Sequence, residues 1–207
     1  MTPGDGSLGA SEATGSVEIL ITREQLATAC AELGEELSQI FEGSEPPIMV
    51  GVLKGSTLFL ADLVRAMSID VAVDFMAISS YEAGASQPTV VRILKDLEND
   101  IGGRDVVIVE DIVDTGLTLT YLRKALSERR PRSLRTVTLL DKSARRIVPV
   151  TLEHRAFEIP DVFVVGYGMD FQGRYRNSPD LLAVRDLPRL ANEPRLLDRP
   201  LFGGRDG

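Results

Sequence analysis

Three carboxylates, Glu110, Asp111 and Asp114, fall within five residues at the end of the stretch VVIVEDIVDTGLT, and Thr115, Gly116 and Thr118 follow at once. Adjacent acids accept hydrogen bonds from paired vicinal hydroxyls, as on a ribose, and hold magnesium directly or through water. A Thr-Gly turn opening a helix does the opposite work. Its N–H groups point outward with the positive end of the helix dipole behind them, glycine lets the backbone approach a ligand, and the two hydroxyls add donors. A phosphorylated sugar satisfies both halves. A helix-capping aspartate explains one acid and leaves the other two unexplained. The stretch is not a Walker loop, and no G-x-G-x-x-G follows a strand.

The elements that must position these groups are legible on either side. VVIVED reads as a buried strand of a parallel sheet, whose carboxyl end is where such sheets bind ligands. A helix is expected from about Gly116 to Arg130. Upstream lie a strand VEILI, a capping box at Thr22 and Gln25, and a helix with Leu26, Cys30, Leu33, Leu37 and Ile40 on its apolar face. Then come the strand IMVGVL, a KGS turn into the helix TLFLADLVRAM, the strand VAVDFMAIS, a polar stretch SYEAGASQPT and the strand VVRIL. After the acidic strand and its helix follow LRTVTLLD, VFVVGYG and LLAVRD as strands. Alternating strands and helices predict an α/β fold with a mostly parallel twisted sheet flanked by helices. Residues 1–16 are Gly/Ser/Thr-rich and read as a disordered tail; residues 188–207 read as a loosely packed or disordered C-terminal tail.

The 207 residues suit one domain, with 43% hydrophobic and 26% charged residues in the globular range. No apolar run approaches the roughly 18 residues of a membrane span. Neither a secretory signal nor a disulfide framework is expected, since Cys30 is the single cysteine; it reads as a buried structural thiol in a cytoplasmic protein. The formal net charge of −8 argues against nonspecific nucleic-acid binding, yet a local cluster of cations and amides can still take a phosphate. His154 is the single histidine and reads as a surface or loop residue, which argues against Ser-His-Asp or Cys-His catalysis.

VVIVEDIVDTGLTL resembles the phosphoribosyl-diphosphate-binding signature of the type I phosphoribosyltransferases. VGVLKGSTLFLADL, ISSYEAG, LLDKSARR and FEIPDVFVVGYGMDFQGRYRNSPDL are similar to its 6-oxopurine branch, the hypoxanthine-guanine phosphoribosyltransferases, in the same order and spacing from about Val50 to Leu182. The resemblance implies that fold, with a small hood subdomain built from the N-terminal segment and residues after about 150, in a domain spanning residues 17–187.

It also implies roles. Glu110 and Asp111 hold the ribose hydroxyls, and the turn Asp114, Thr115, Gly116, Leu117, Thr118 holds the 5′-phosphate. The amides of Lys54 and Gly55, next to a cis peptide after Leu53, bind pyrophosphate together with Arg176. Ser80 and Tyr81 belong to a lid that excludes water. Lys142 donates to a purine 6-oxo group, Phe163 stacks on the base, and Val164 offers backbone groups to its edge. Asp170 lies near the exocyclic amine, and with Glu110 and Asp111 it is a candidate ligand of magnesium, the implied cofactor. Asp114 takes the N7 proton as general base. Leu117 stands where some relatives carry lysine, so the phosphate is held by amides and hydroxyls without that cation.

The implied reaction is purine salvage: transfer of a phosphoribosyl group from its diphosphate to hypoxanthine or guanine, in a homodimer or homotetramer. Preference for xanthine or another base stays open. The same fold also serves in an RNA-binding regulator of a pyrimidine operon; the net negative charge and the presence of both Asp114 and Lys142 speak against that reading.

Overall fold

The computed structural model describes residues 17–82, 89–193 and 197. The expected N-terminal tail lies outside the described residues, as does the centre of the polar stretch, residues 83–88.

The chain opens with β1 (Val17–Ile21) and α1 (Arg23–Phe41). The capping box forms at the start of α1: Gln25 N–H donates to the Thr22 hydroxyl and Thr22 N–H donates to the Gln25 side chain. Leu26, Cys30, Leu33 and Leu37 are buried as expected, but Ile40 is exposed and Phe41 takes its place in the core. Four residues after Leu37, Phe41 keeps to the buried stripe, whereas Ile40 is carried off its edge.

Next come β2 (Ile48–Leu53), α2 (Thr57–Ala66), β3 (Ala72–Glu82), β4 (Thr89–Lys95), β5 (Asp105–Val113), α3 (Leu117–Ser127) and β6 (Ser133–Asp141). The helix α3 is shorter than expected and ends before Arg130, which adopts a left-handed φ of 56°. β7 (His154–Glu158) is a strand the sequence reading did not anticipate. The main sheet runs β4-β3-β2-β5-β6-β7, parallel except for the β3–β4 pair. Val106 to Val109 show no polar alternation because both faces of β5 are covered. Val107 and Val109 pack with α1 and α2, through Leu37, Phe59 and Leu63. Val106 and Ile108 pack with Leu119, Leu122 and Leu126 of α3.

β8 (Phe163–Val165) and β9 (Leu181–Val184) join β1 in a separate antiparallel sheet, ordered β1-β9-β8. Residues after about 150 therefore divide: β7 extends the main sheet, and the small sheet takes up the chain from Phe163 onward. The C-terminal segment departs from the expected loose tail. Leu187–Asn192 forms a short helix, α4, and its Leu190 packs with Leu197 against Val165 and Leu182, both leucines fully buried. His154 is likewise no surface residue: it is buried at the start of β7, with Nδ1 3.0 Å from Glu36 of α1.

Candidate active site

The acidic pair sits just past Val109, the last β5 residue that pairs with β2, while the pairing with β6 continues to Val113. Glu110 is buried, and burial, reinforced by the charge of Asp111, pushes its carboxyl well above the ordinary range. Burial also pushes Asp111 up, to about 6, against the opposing pull of the Ile112 amide and Arg176. The Asp111 carboxylate fills the space beside Gly55: a Cβ built on Gly55 falls 1.5 Å from Asp111 Oδ2. Gly55 follows the cis peptide between Leu53 and Lys54 at the end of β2. The KGS turn is thus glycine because the acid of the neighbouring strand occupies the place of a side chain.

This burial carries a stability prediction. A carboxyl raised from 3.8 to about 6 binds its proton more tightly in the folded state, so folding stability falls as pH rises through that window. Asp111→Asn removes the penalty. The variant is expected to be more stable than the parent at pH 7, by up to about 3 kcal/mol, with the gap closing below about pH 4. Denaturant titrations across pH check this; a variant less stable at pH 7 contradicts it.

Beyond the acids, Gly116 caps α3 in a left-handed conformation, φ 86°, and a Cβ there falls 2.8 Å from the Val148 carbonyl. The Ile147 and Val148 amides donate to Thr115 O at 3.0 and 3.2 Å, which ties the turn to the chain at residues 147 and 148. Asp114 Oδ1 is out of contact with solvent and takes no hydrogen bond among the described residues; Arg145 Nε lies 3.3 Å away.

Lys54, Gly55, Glu110, Asp111, Asp114, Thr115, Gly116, Thr118, Asp170 and Arg176 line one cavity of about 310 Å³. Lys142, Phe163 and Val164 line a second, about 370 Å³, which shares Asp111, Ile112, Asp114 and Asp170 with the first. The expected residues thus fall into two chambers of one cleft, with Asp114 at the junction. Leu117 lines neither chamber; its amide stays in the turn, 3.4 Å from Thr115 Oγ1. Ser80 and Tyr81 lie on β3 opposite Val91 and Val90, and the role expected of their side chains lies outside the described residues.

Arg176 donates to the Gly168 carbonyl at 2.6 Å and pairs with Asp170 at the same distance. The Lys142 amide donates to Val113 O, and its side chain is buried with Nζ 3.9 Å from Asp161. Phe163 stands edge-on to Phe171, ring centres 6.0 Å apart.

Sequence reasoning did not single out Ile112, Arg145, Asp161 or Met169. Ile112 lines both chambers and Met169 the second, yet each reads in sequence as ordinary core. Arg145 reaches both Asp114 and Asp161, across separations that no local pattern reveals.

Compared with known proteins, residues 16–172 match the family model described as the phosphoribosyl transferase domain. The chain is 48% identical over 165 residues to the hypoxanthine phosphoribosyltransferase of Escherichia coli K12, covering 79% of this chain and 93% of that protein. It is 47% identical over 164 residues to the hypoxanthine-guanine phosphoribosyltransferase of Mycobacterium tuberculosis, covering 77% and 81%. A crystal structure of a hypoxanthine phosphoribosyltransferase from Staphylococcus aureus superposes with a TM-score of 0.77 at 42% identity, covering 81% of this chain and 90% of that one.

Proposed function

The chain belongs to the phosphoribosyl transferase family, and on that premise we propose that it transfers the 5-phosphoribosyl group of phosphoribosyl diphosphate to hypoxanthine or guanine, releasing pyrophosphate and the nucleoside monophosphate. The observation that carries this reading is the joining of the two chambers at Asp114. One holds an acid pair and an anion-binding turn; the other holds a buried lysine and an aromatic ring.

In this reading the amides from Asp114 to Thr118 grip the 5′-phosphate, and Glu110 and Asp111 accept from the ribose hydroxyls. The Lys54 and Gly55 amides with Arg176 neutralise the pyrophosphate as its bond to C1 breaks. N9 of the base attacks the opposite face while the Asp114 carboxylate takes the N7 proton. Phe163 covers the purine, Val164 offers backbone groups to its edge, and Lys142 donates to its 6-oxo group. Ser80 and Tyr81 close over the centre to exclude water.

Magnesium fits this site. The acids of the pair are held above their ordinary range by burial, and a cation relieves that. Among the described residues no group of three or more His, Cys, Asp or Glu is placed to hold a metal ion by itself, so magnesium would take one or two carboxylates and the substrate's oxygens. One or two of Glu110, Asp111 and Asp170 would hold it, and when bound it would stabilise charge on the leaving pyrophosphate.

We infer a cytoplasmic setting from the single unpaired thiol, Cys30. No helix among the described residues is long and apolar enough to cross a membrane. Assembly as a homodimer or homotetramer is carried over from the family resemblance.

The test is a parallel assay with hypoxanthine, guanine, xanthine and adenine. Hypoxanthine and guanine are expected to exceed adenine in kcat/KM by about 10³-fold or more, because a 6-amino donor leaves Lys142 unpaired. Adenine as the best substrate overturns the assignment of Lys142. Tight RNA binding at moderate salt without transfer activity overturns the enzymatic reading.

A further inference from the structure

The turn between β8 and β9 carries Asp170 and Arg176, yet it begins with backbone that a non-glycine residue rarely adopts. Gly166, Tyr167 and Gly168 have φ of 102°, 45° and 99° in succession. Tyr167 is the unusual member, since a left-handed conformation is unfavourable for a bulky side chain. Its side chain leaves the small sheet and enters the core cluster between α1 and α2. There its hydroxyl donates to Asp62 Oδ2 at 2.6 Å and lies 3.5 Å from Cys30 Sγ. With the hydroxyl proton committed to Asp62, the Cys30 thiol is the donor of the second contact. Burial, with the hydrogen bond to Asp62, holds the phenol protonated well above its ordinary range, and burial likewise keeps the thiol protonated. The other Asp62 oxygen is taken by Arg65.

What this anchor holds is the pyrophosphate side of the cleft. The Tyr167 amide donates to Ser178 O at 2.9 Å. The next residue, Gly168, donates to the Arg176 carbonyl at 2.8 Å and accepts from the Arg176 guanidinium. Gly168 also abuts the KGS turn: a Cβ built on it falls 2.0 Å from the Gly55 carbonyl. Arg176 is therefore fixed at two points to a residue that is seated on Gly55 and adjoins the buried tyrosine.

From this the geometry points to Tyr167 as a positioning residue: its hydrogen bond to Asp62 of α2 sets Gly168 and Arg176 against Gly55, and so tunes the grip on pyrophosphate. Asp62 touches neither chamber, so it acts only through the tyrosine. This rests on the phosphoribosyl-transfer reading, and the test separates the two. The reverse reaction, nucleoside monophosphate plus pyrophosphate, is followed with inosine monophosphate and magnesium. Absence of turnover in the parent protein sinks that reading and this inference with it, whereas the variants below test the inference alone.

Given turnover, Tyr167→Phe is expected to raise KM for pyrophosphate about tenfold, the usual scale for a lost hydrogen bond to a charged group. The dissociation constant for inosine monophosphate, gripped by the phosphate turn and the base chamber, is expected to stay within about twofold. Asp62→Asn keeps an acceptor oxygen and is expected to behave as the parent; Asp62→Ala is expected to match Tyr167→Phe. An unchanged pyrophosphate KM in both Tyr167→Phe and Asp62→Ala overturns the inference. So does equal weakening of nucleotide and pyrophosphate, which is what general loosening of the fold produces. Should Tyr167→Phe fail to fold, the contrast between Asp62→Asn and Asp62→Ala decides alone.

Discussion

Asp114→Asn is expected to cut kcat for nucleotide formation by about 10²-fold or more while leaving the dissociation constant for phosphoribosyl diphosphate within about threefold. The asymmetry follows from where Asp114 stands. Its amide belongs to the phosphate turn, and asparagine keeps that amide. Its side chain lines both chambers, with Oδ1 buried 3.3 Å from Arg145 Nε. An amide in that place can donate or accept, but it cannot take a proton from N7 as the new bond to N9 forms. Steady-state rates with hypoxanthine, alongside calorimetric titration of phosphoribosyl diphosphate, separate the two quantities. Equal loss of both makes Asp114 a binding residue; unchanged turnover removes it from the chemistry.

Gly55→Ala is expected to reduce kcat/KM for phosphoribosyl diphosphate by about 10²-fold, the scale on which a displacement of about 1 Å disturbs a positioned group. The added Cβ falls 1.5 Å from Asp111 Oδ2 and 2.5 Å from Cγ, so the carboxylate has to leave its place. On the proposed reading, moving it takes one acceptor from the ribose hydroxyls and alters the KGS turn assigned to pyrophosphate. A double-mutant cycle isolates the cause. Because the clash is between these two residues, Gly55→Ala made in an Asp111→Ala background is expected to cost less than tenfold beyond Asp111→Ala alone. Full additivity of the two losses means that Gly55 acts through something other than Asp111.

The parts of this molecule legible in its sequence are those set by local rules. The capping box at Thr22 and Gln25, the unbroken apolar run Val106–Val109 and the glycine of the phosphate turn each follow from residues a few positions apart. The parts that escaped depend on neighbours distant in the chain. His154 reads as surface because a lone histidine in LEHRAFE has no apolar pattern around it, yet it is buried where β7 pairs with β6, with Glu36 of α1, 118 residues away, at its Nδ1. β7 escaped for the same reason: it pairs with β6 alone, and its exposure pattern mixes buried and open positions. Leu190 and Leu197 sit in a Pro/Arg-rich stretch whose composition suggests a tail, yet the small sheet supplies the apolar surface that holds them. In the candidate site, the acids, the turn and the lysine could be singled out because they stand in contiguous motifs, and the structure brings them to adjoining cavities. Arg145, at the end of the short 3-10 turn Ser143–Arg145, was not, because its partners Asp114 and Asp161 lie far from it in the chain.

The most direct test of the account is a crystal structure with inosine monophosphate bound. The account predicts the 5′-phosphate within about 3.2 Å of the backbone amides between Asp114 and Thr118, the ribose hydroxyls on Glu110 and Asp111, and the 6-oxo group on Lys142. A nucleotide whose phosphate lies elsewhere, with that turn in contact with solvent alone, contradicts it.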